Sequence, residues 1–97
     1  MKIRIIATPP GQSPEWVREA WVGLELPLIE DNQPGVQTGV LLGKPENIGG
    51  YRVDGKEAIE ALEKHYPSAA EWWKKNVPNV IGNQLVFKKE VCEVLQP

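Results

Sequence analysis

Across residues 13–28 the spacing of apolar positions changes from a period near 3.6 to a period of 2, marking a short helix that runs through one glycine into a strand. At about 100° per residue, Trp16, Ala20, Val17 and Trp21 fall on one stripe roughly 140° wide, while Glu15, Arg18 and Glu19 fill the opposite side. The two tryptophans flank that stripe. Ser13 is placed to cap the first turn, Pro14 suits the first helical position, and Glu15 complements the helix dipole. Gly23 fits the left-handed position that closes a helix. Leu24, Leu26 and Leu28 then alternate with Glu25, Pro27 and Ile29, and Pro27 points to an edge position or a bend.

The same reading applied to the rest of the chain predicts mostly short strands. Ile3, Ile5 and Ala7 alternate with Lys2, Arg4 and Ile6, so residues 2–7 form a first strand that Thr8-Pro9-Pro10-Gly11 ends. A polar loop over residues 30–35 leads to a third strand over 36–43, pairing antiparallel with the second, in which Gly39 and Gly43 point to a bulge, a sharp bend or another backbone passing close. Tyr51, Arg52 and Val53 make a short fourth strand. Asp54 and Glu57 form a capping box for a helix over 56–66 with a stripe of Ala58, Ile59, Leu62 and Tyr66. Pro67 ends it, and Ser68 with Glu71 opens a third helix reaching Asn76. On that helix Ala69, Ala70, Trp73 and Val77 share a face, whereas Trp72 lies about 100° away beside Glu71 and Lys75. A turn at Gly82-Asn83, a strand over 84–87 and a final strand over 91–95 complete the chain.

These elements describe a mainly β protein with helical insertions, an α+β arrangement. The connections are too short for parallel crossovers, so a small antiparallel half-open barrel results, with one short helix after strand 1 and two helices before the last strands. The ending L-V-F-K-K-E-V-C-E-V-L, residues 85–95, resembles the close of SH3-like barrels, where an aromatic strand, one tight turn and a last valine-rich strand follow one another. The resemblance covers eleven residues. It implies that Phe87, Val91, Cys92 and Val94 line or seal the barrel. The helical insertion after Asp54 departs from the plain SH3 pattern and gives no basis for carrying over a peptide groove.

Length and composition narrow the function classes. The 97 residues make one domain able to bury a modest core, and 41% apolar with 25% charged residues excludes disordered and membrane classes. Eleven basic and thirteen acidic side chains are mixed along the chain, giving a net charge of -2. No stripe of Lys and Arg emerges around Lys74-Lys75 or Lys88-Lys89, which disfavours nucleic acid. A single cysteine, Cys92, allows no internal disulfide and suggests a reducing, cytoplasmic setting. The first ten residues are too charged for a signal peptide, and no stretch reaches membrane-spanning length.

Candidate chemistry is sparse. His65 is the one histidine, and a lone imidazole makes no zinc site. Cys92, between Val91 and Val94, reads as a small buried hydrophobe. Glu57, Glu60 and Glu63 interleave with Lys56 and Lys64 on a solvated helix face, Glu30-Asp31-Asn32 lacks calcium-loop spacing, and Gly49-Gly50 precedes a strand, so it makes no phosphate cradle. No cofactor is implied. An excess of aromatic side chains remains, with four tryptophans and two tyrosines. Tryptophan anchors interfaces, so the reading is a non-catalytic interaction or accessory module that docks another protein through Trp72 with Trp16 or Trp21; self-association is left open. The alternative is a small enzyme or ligand-binding protein with Tyr51, Asp54, His65 and Cys92 converging on one site.

Overall fold

In the computed structural model, which describes residues 1–29 and 50–95, Ile3 and Ile5 point inward from β1 (Lys2–Ile5) while Lys2 and Arg4 point out. β1 is the middle strand of a three-stranded antiparallel sheet, between β2 (Glu25–Pro27) and β5 (Cys92–Leu95). The register sets Leu26 and Val94 beside Ile3 and Cys92 beside Ile5 on the inner face. On the outer face Glu25 and Glu93 flank Arg4, whose guanidinium donates to Glu93 at 2.9 Å and to Glu25 at 3.0 Å. The hydrogen bond it donates to Glu25 does most to raise the pKa of that guanidinium. All three side chains are exposed, so salt screens the row, and its main effect is to favour one register over a slip that would turn Ile3 and Ile5 outward. Pro27 ends β2, which is an outer strand of this sheet among the described residues.

β3 (Gly50–Asp54) and β4 (Gln84–Lys88) pair antiparallel in a second sheet, with Tyr51 opposite Phe87 and Val53 opposite Leu85. The segment between them is a helical pair, α2 (Gly55–His65) and α3 (Pro67–Asn76), followed by a 3-10 turn at Pro78–Gly82. The Asp54 cap forms as its spacing predicts, with Glu57 N–H donating to Oδ2 at 3.0 Å. Tyr66 then leaves the helical region at φ -150°, ψ 82°, and Pro67 becomes the first residue of α3. Ser68 therefore lies inside the first turn and makes no cap, contrary to the expected second capping box. Lys74 pairs with Glu63, an exposed contact between α2 and α3. The two sheets meet where Ile29 N–H donates to Arg52 C=O at 2.9 Å, and a 3-10 turn at Lys89–Val91 joins β4 to β5.

Helices hold 45% and strands 28% of the described residues, so the architecture is α+β but carries more helix than the mainly β expectation. The strands run only three to five residues, while α2 and α3 run eleven and ten. The expected third strand with Gly39 and Gly43, and the Glu30-Asp31 loop, lie outside the described residues. α1 (Glu15–Glu19) is shorter than its stripe suggests, and Pro14 rather than Ser13 occupies its cap position. Arg18 folds back instead, donating from Nε to the Ser13 carbonyl at 2.8 Å and from Nη1 to that of Pro9 at 3.3 Å, which ties the proline-rich loop to the helix. Gly23 adopts φ +94° as predicted, and its N–H donates to Ile5 C=O at 2.7 Å, seating the helix exit on β1.

Gly55 has a role that its local sequence does not reveal. Its N–H donates to Asn83 C=O at 2.8 Å, and a Cβ there would overlap the backbone oxygens of Val80 and Asn83. Gly55→Ala is therefore expected to lower stability by on the order of 3 kcal/mol, because backbone must shift. Gly23→Ala, with open space around it but a left-handed backbone, should cost about 1–2 kcal/mol. Urea unfolding of both variants checks the ranking, and equal costs would contradict the close approach at Gly55.

Candidate functional site

The structure sorts the four tryptophans by depth. Trp21 and Trp73 are buried, the first meeting Trp73 edge-on at a ring-centroid distance of 5.9 Å and Phe87 at 5.3 Å. Trp72 is half-buried and packs edge-on against Trp73 at 5.7 Å. Trp16 is 45% exposed. The difference between Trp16 and Trp21 follows from their places at opposite margins of a stripe roughly 140° wide: Val17 and Ala20 occupy its buried middle, and only the Trp21 margin turns into the core. Trp21, fully buried, is accordingly no part of an exposed surface, and the Trp72 ring packs mainly inward against Trp73.

Beside Trp16 stands Tyr66, itself 43% exposed, with ring centroids 6.3 Å apart and planes tilted by 42°. Periodicity had assigned Tyr66 to the buried stripe of α2. The helix stops at His65, and the backbone at Tyr66 carries its ring out of that stripe. One local signal foretells the change, since a residue before proline is pushed out of the helical region. The surroundings of the pair are charged. Glu15 and Glu19 on α1 are exposed, as are Lys64 and His65 just before Tyr66.

The residues of the alternative site do not converge. Asp54 caps the start of α2 and His65 is its last residue, so the eleven-residue helix holds them roughly 16 Å apart. Cys92 is buried on the inner face beside Ile5, where desolvation pushes its thiol up to about 11. It is protonated near neutral pH and is no nucleophile. Tyr51 stands opposite Phe87 with the Lys89 ammonium 5.7 Å from its ring centre. Among the described residues no three His, Cys, Asp or Glu side chains gather in a way that could hold a metal ion, and no helix is long and apolar enough to cross a membrane.

No protein-family model, curated protein or solved structure matches this chain. The assignment of a site therefore rests on the exposed aromatic pair. In acrylamide quenching, Trp16→Phe should remove the largest accessible component of the tryptophan emission, whereas Trp73→Phe should leave it. Trp73→Ala is expected to cost about 3–5 kcal/mol of stability, and Trp16→Ala roughly 0.5 kcal/mol. Unchanged quenching in Trp16→Phe would place that indole in the interior and remove the candidate site.

Proposed function

We propose that this chain is a non-catalytic interaction or accessory module that docks a protein partner through the Trp16 and Tyr66 rings. One observation carries the reading: two large aromatic side chains lie together, each nearly half exposed, on a molecule whose core is already filled by Trp21, Trp73 and Phe87. Tryptophan and tyrosine are enriched among the residues that dominate binding energy, because a ring buries large area at little rotamer cost. Trp72, half-buried beside Trp73, is the other tryptophan offered to a partner in this reading. The cytoplasm is the proposed location, supported by the single, unpaired Cys92.

The proposed scaffold is an SH3-like half-open barrel. Three features support it: the 3-10 turn between β4 and β5, the pairing of β5 with β1, and the bond from Ile29 to Arg52 that joins the end of β2 to β3. The docking surface lies on α1 and at the junction of α2 with α3, so it is a feature of the helices rather than of a barrel groove.

A benzophenone amino acid replacing Trp16 tests the docking reading in the source cells, with the same group replacing exposed Glu60 as the control. Light-dependent capture of one discrete partner from position 16, absent from position 60 and reduced by Tyr66→Ala, is the expected result. Identical products from both positions would contradict it.

A further inference from the structure

We infer that the partner segment seated on Trp16 and Tyr66 presents a basic side chain, an arginine or a lysine; this rests on the docking reading above and specifies its chemistry. Glu15 immediately precedes Trp16, and Glu19 follows it by three residues, which makes it a neighbour on the helix surface. Both carboxylates are exposed, and neither enters an ion pair with another described residue. Arg18, the one cation of α1, is turned to the carbonyls of Ser13 and Pro9. Glu63 is already paired with Lys74. On the far side of the pair His65 and Lys64 are exposed, so the unpaired carboxylates of Glu15 and Glu19 are the charges that flank Trp16 on its own helix while the Arg18 guanidinium is directed away to the Ser13 and Pro9 carbonyls.

The ring faces add to this negative field, since an aromatic quadrupole places electron density where a cation can sit. The molecule contains an internal instance: the Lys89 ammonium lies 5.7 Å from the centre of the Tyr51 ring. Among the described residues no cation occupies that position over Trp16 or Tyr66. A partner's guanidinium or ammonium would fill it, with its stem on the rings and its charge toward Glu15 and Glu19. The net charge of -2 on the whole chain favours the approach of a basic segment at low salt.

Two blocked hexapeptides, one alternating arginine with glycine and one alternating glutamate with glycine, provide the test. They are titrated into the ¹⁵N-labelled full chain while the indole N–H resonance of Trp16 is followed. The arginine peptide should shift that resonance in a saturable and salt-sensitive way, and the glutamate peptide should not. The double substitution Glu15→Gln and Glu19→Gln should weaken the arginine peptide roughly fivefold, and Trp16→Ala should abolish its effect on Tyr66. Equal shifts from both peptides, or none from the arginine peptide, would overturn the inference. The photocrosslink separates the two levels. A partner whose contacting segment has no basic side chain, or a second copy of this chain, refutes the basic-segment inference and leaves the docking reading standing; no specific capture and no response of Trp16 to either peptide refutes both.

Discussion

The indole of Trp21 meets two other rings at once, and through them three parts of the chain that are remote in sequence. Trp21 belongs to the turn after α1, Trp73 to α3 and Phe87 to β4, with both ring contacts inclined at 72°. Each such pair contributes about 0.5–1.5 kcal/mol beyond the area it buries. Hydrogen bonding does not account for the cluster, since the buried indole N–H groups of Trp21 and Trp73 find no acceptor among the described residues. Each of those orphan donors costs about 1–3 kcal/mol, so ring contact and the burial of apolar area must offset that cost. Shape therefore decides the packing. The helices are held on the sheets because three flat side chains fit edge to face.

A filled core explains why the remaining aromatics lie where they do. With Trp21, Trp73 and Phe87 in place, Val17, Ala20, Ala69 and Ala70 complete the interior with small side chains. Trp16, at the other margin of the same short helix, has no interior position to enter. Tyr66 joins it because the break between α2 and α3 falls at that residue, where its ring turns out toward α1. One packing constraint thus produces both the rigid centre and the exposed pair. Trp16 stands on α1 and Tyr66 at the junction of α2 with α3.

Much of this was visible in local sequence. The Asp54 cap of α2, the left-handed Gly23, the buried Cys92 and the inward-facing Trp73 all follow from short-range rules about caps, turns and periodicity. The failures depend on partners far along the chain. Gly55 must be small because of backbone near residues 80–83, and Glu93 meets Arg4 across 89 positions. Local signals also competed, as when Pro67 took the start of α3 from Ser68 and Pro14 took the cap position of α1 from Ser13, whose carbonyl accepts from Arg18 instead. Which margin of the α1 stripe turned inward was the decisive unknown for the site. Periodicity fixes the stripe but not its rotation against neighbours, so Trp16 and Trp21 looked alike until packing distinguished them.

Nuclear Overhauser contacts among the aromatic protons test the ring cluster most directly. Cross-peaks are expected from Trp21 to both Trp73 and Phe87, together with one from Trp16 to Tyr66, and none from Trp21 to Tyr66. A Trp21 ring without contacts to Trp73 and Phe87, or a Trp16 ring in contact with Phe87, would contradict the packing on which both the fold and its exposed pair depend.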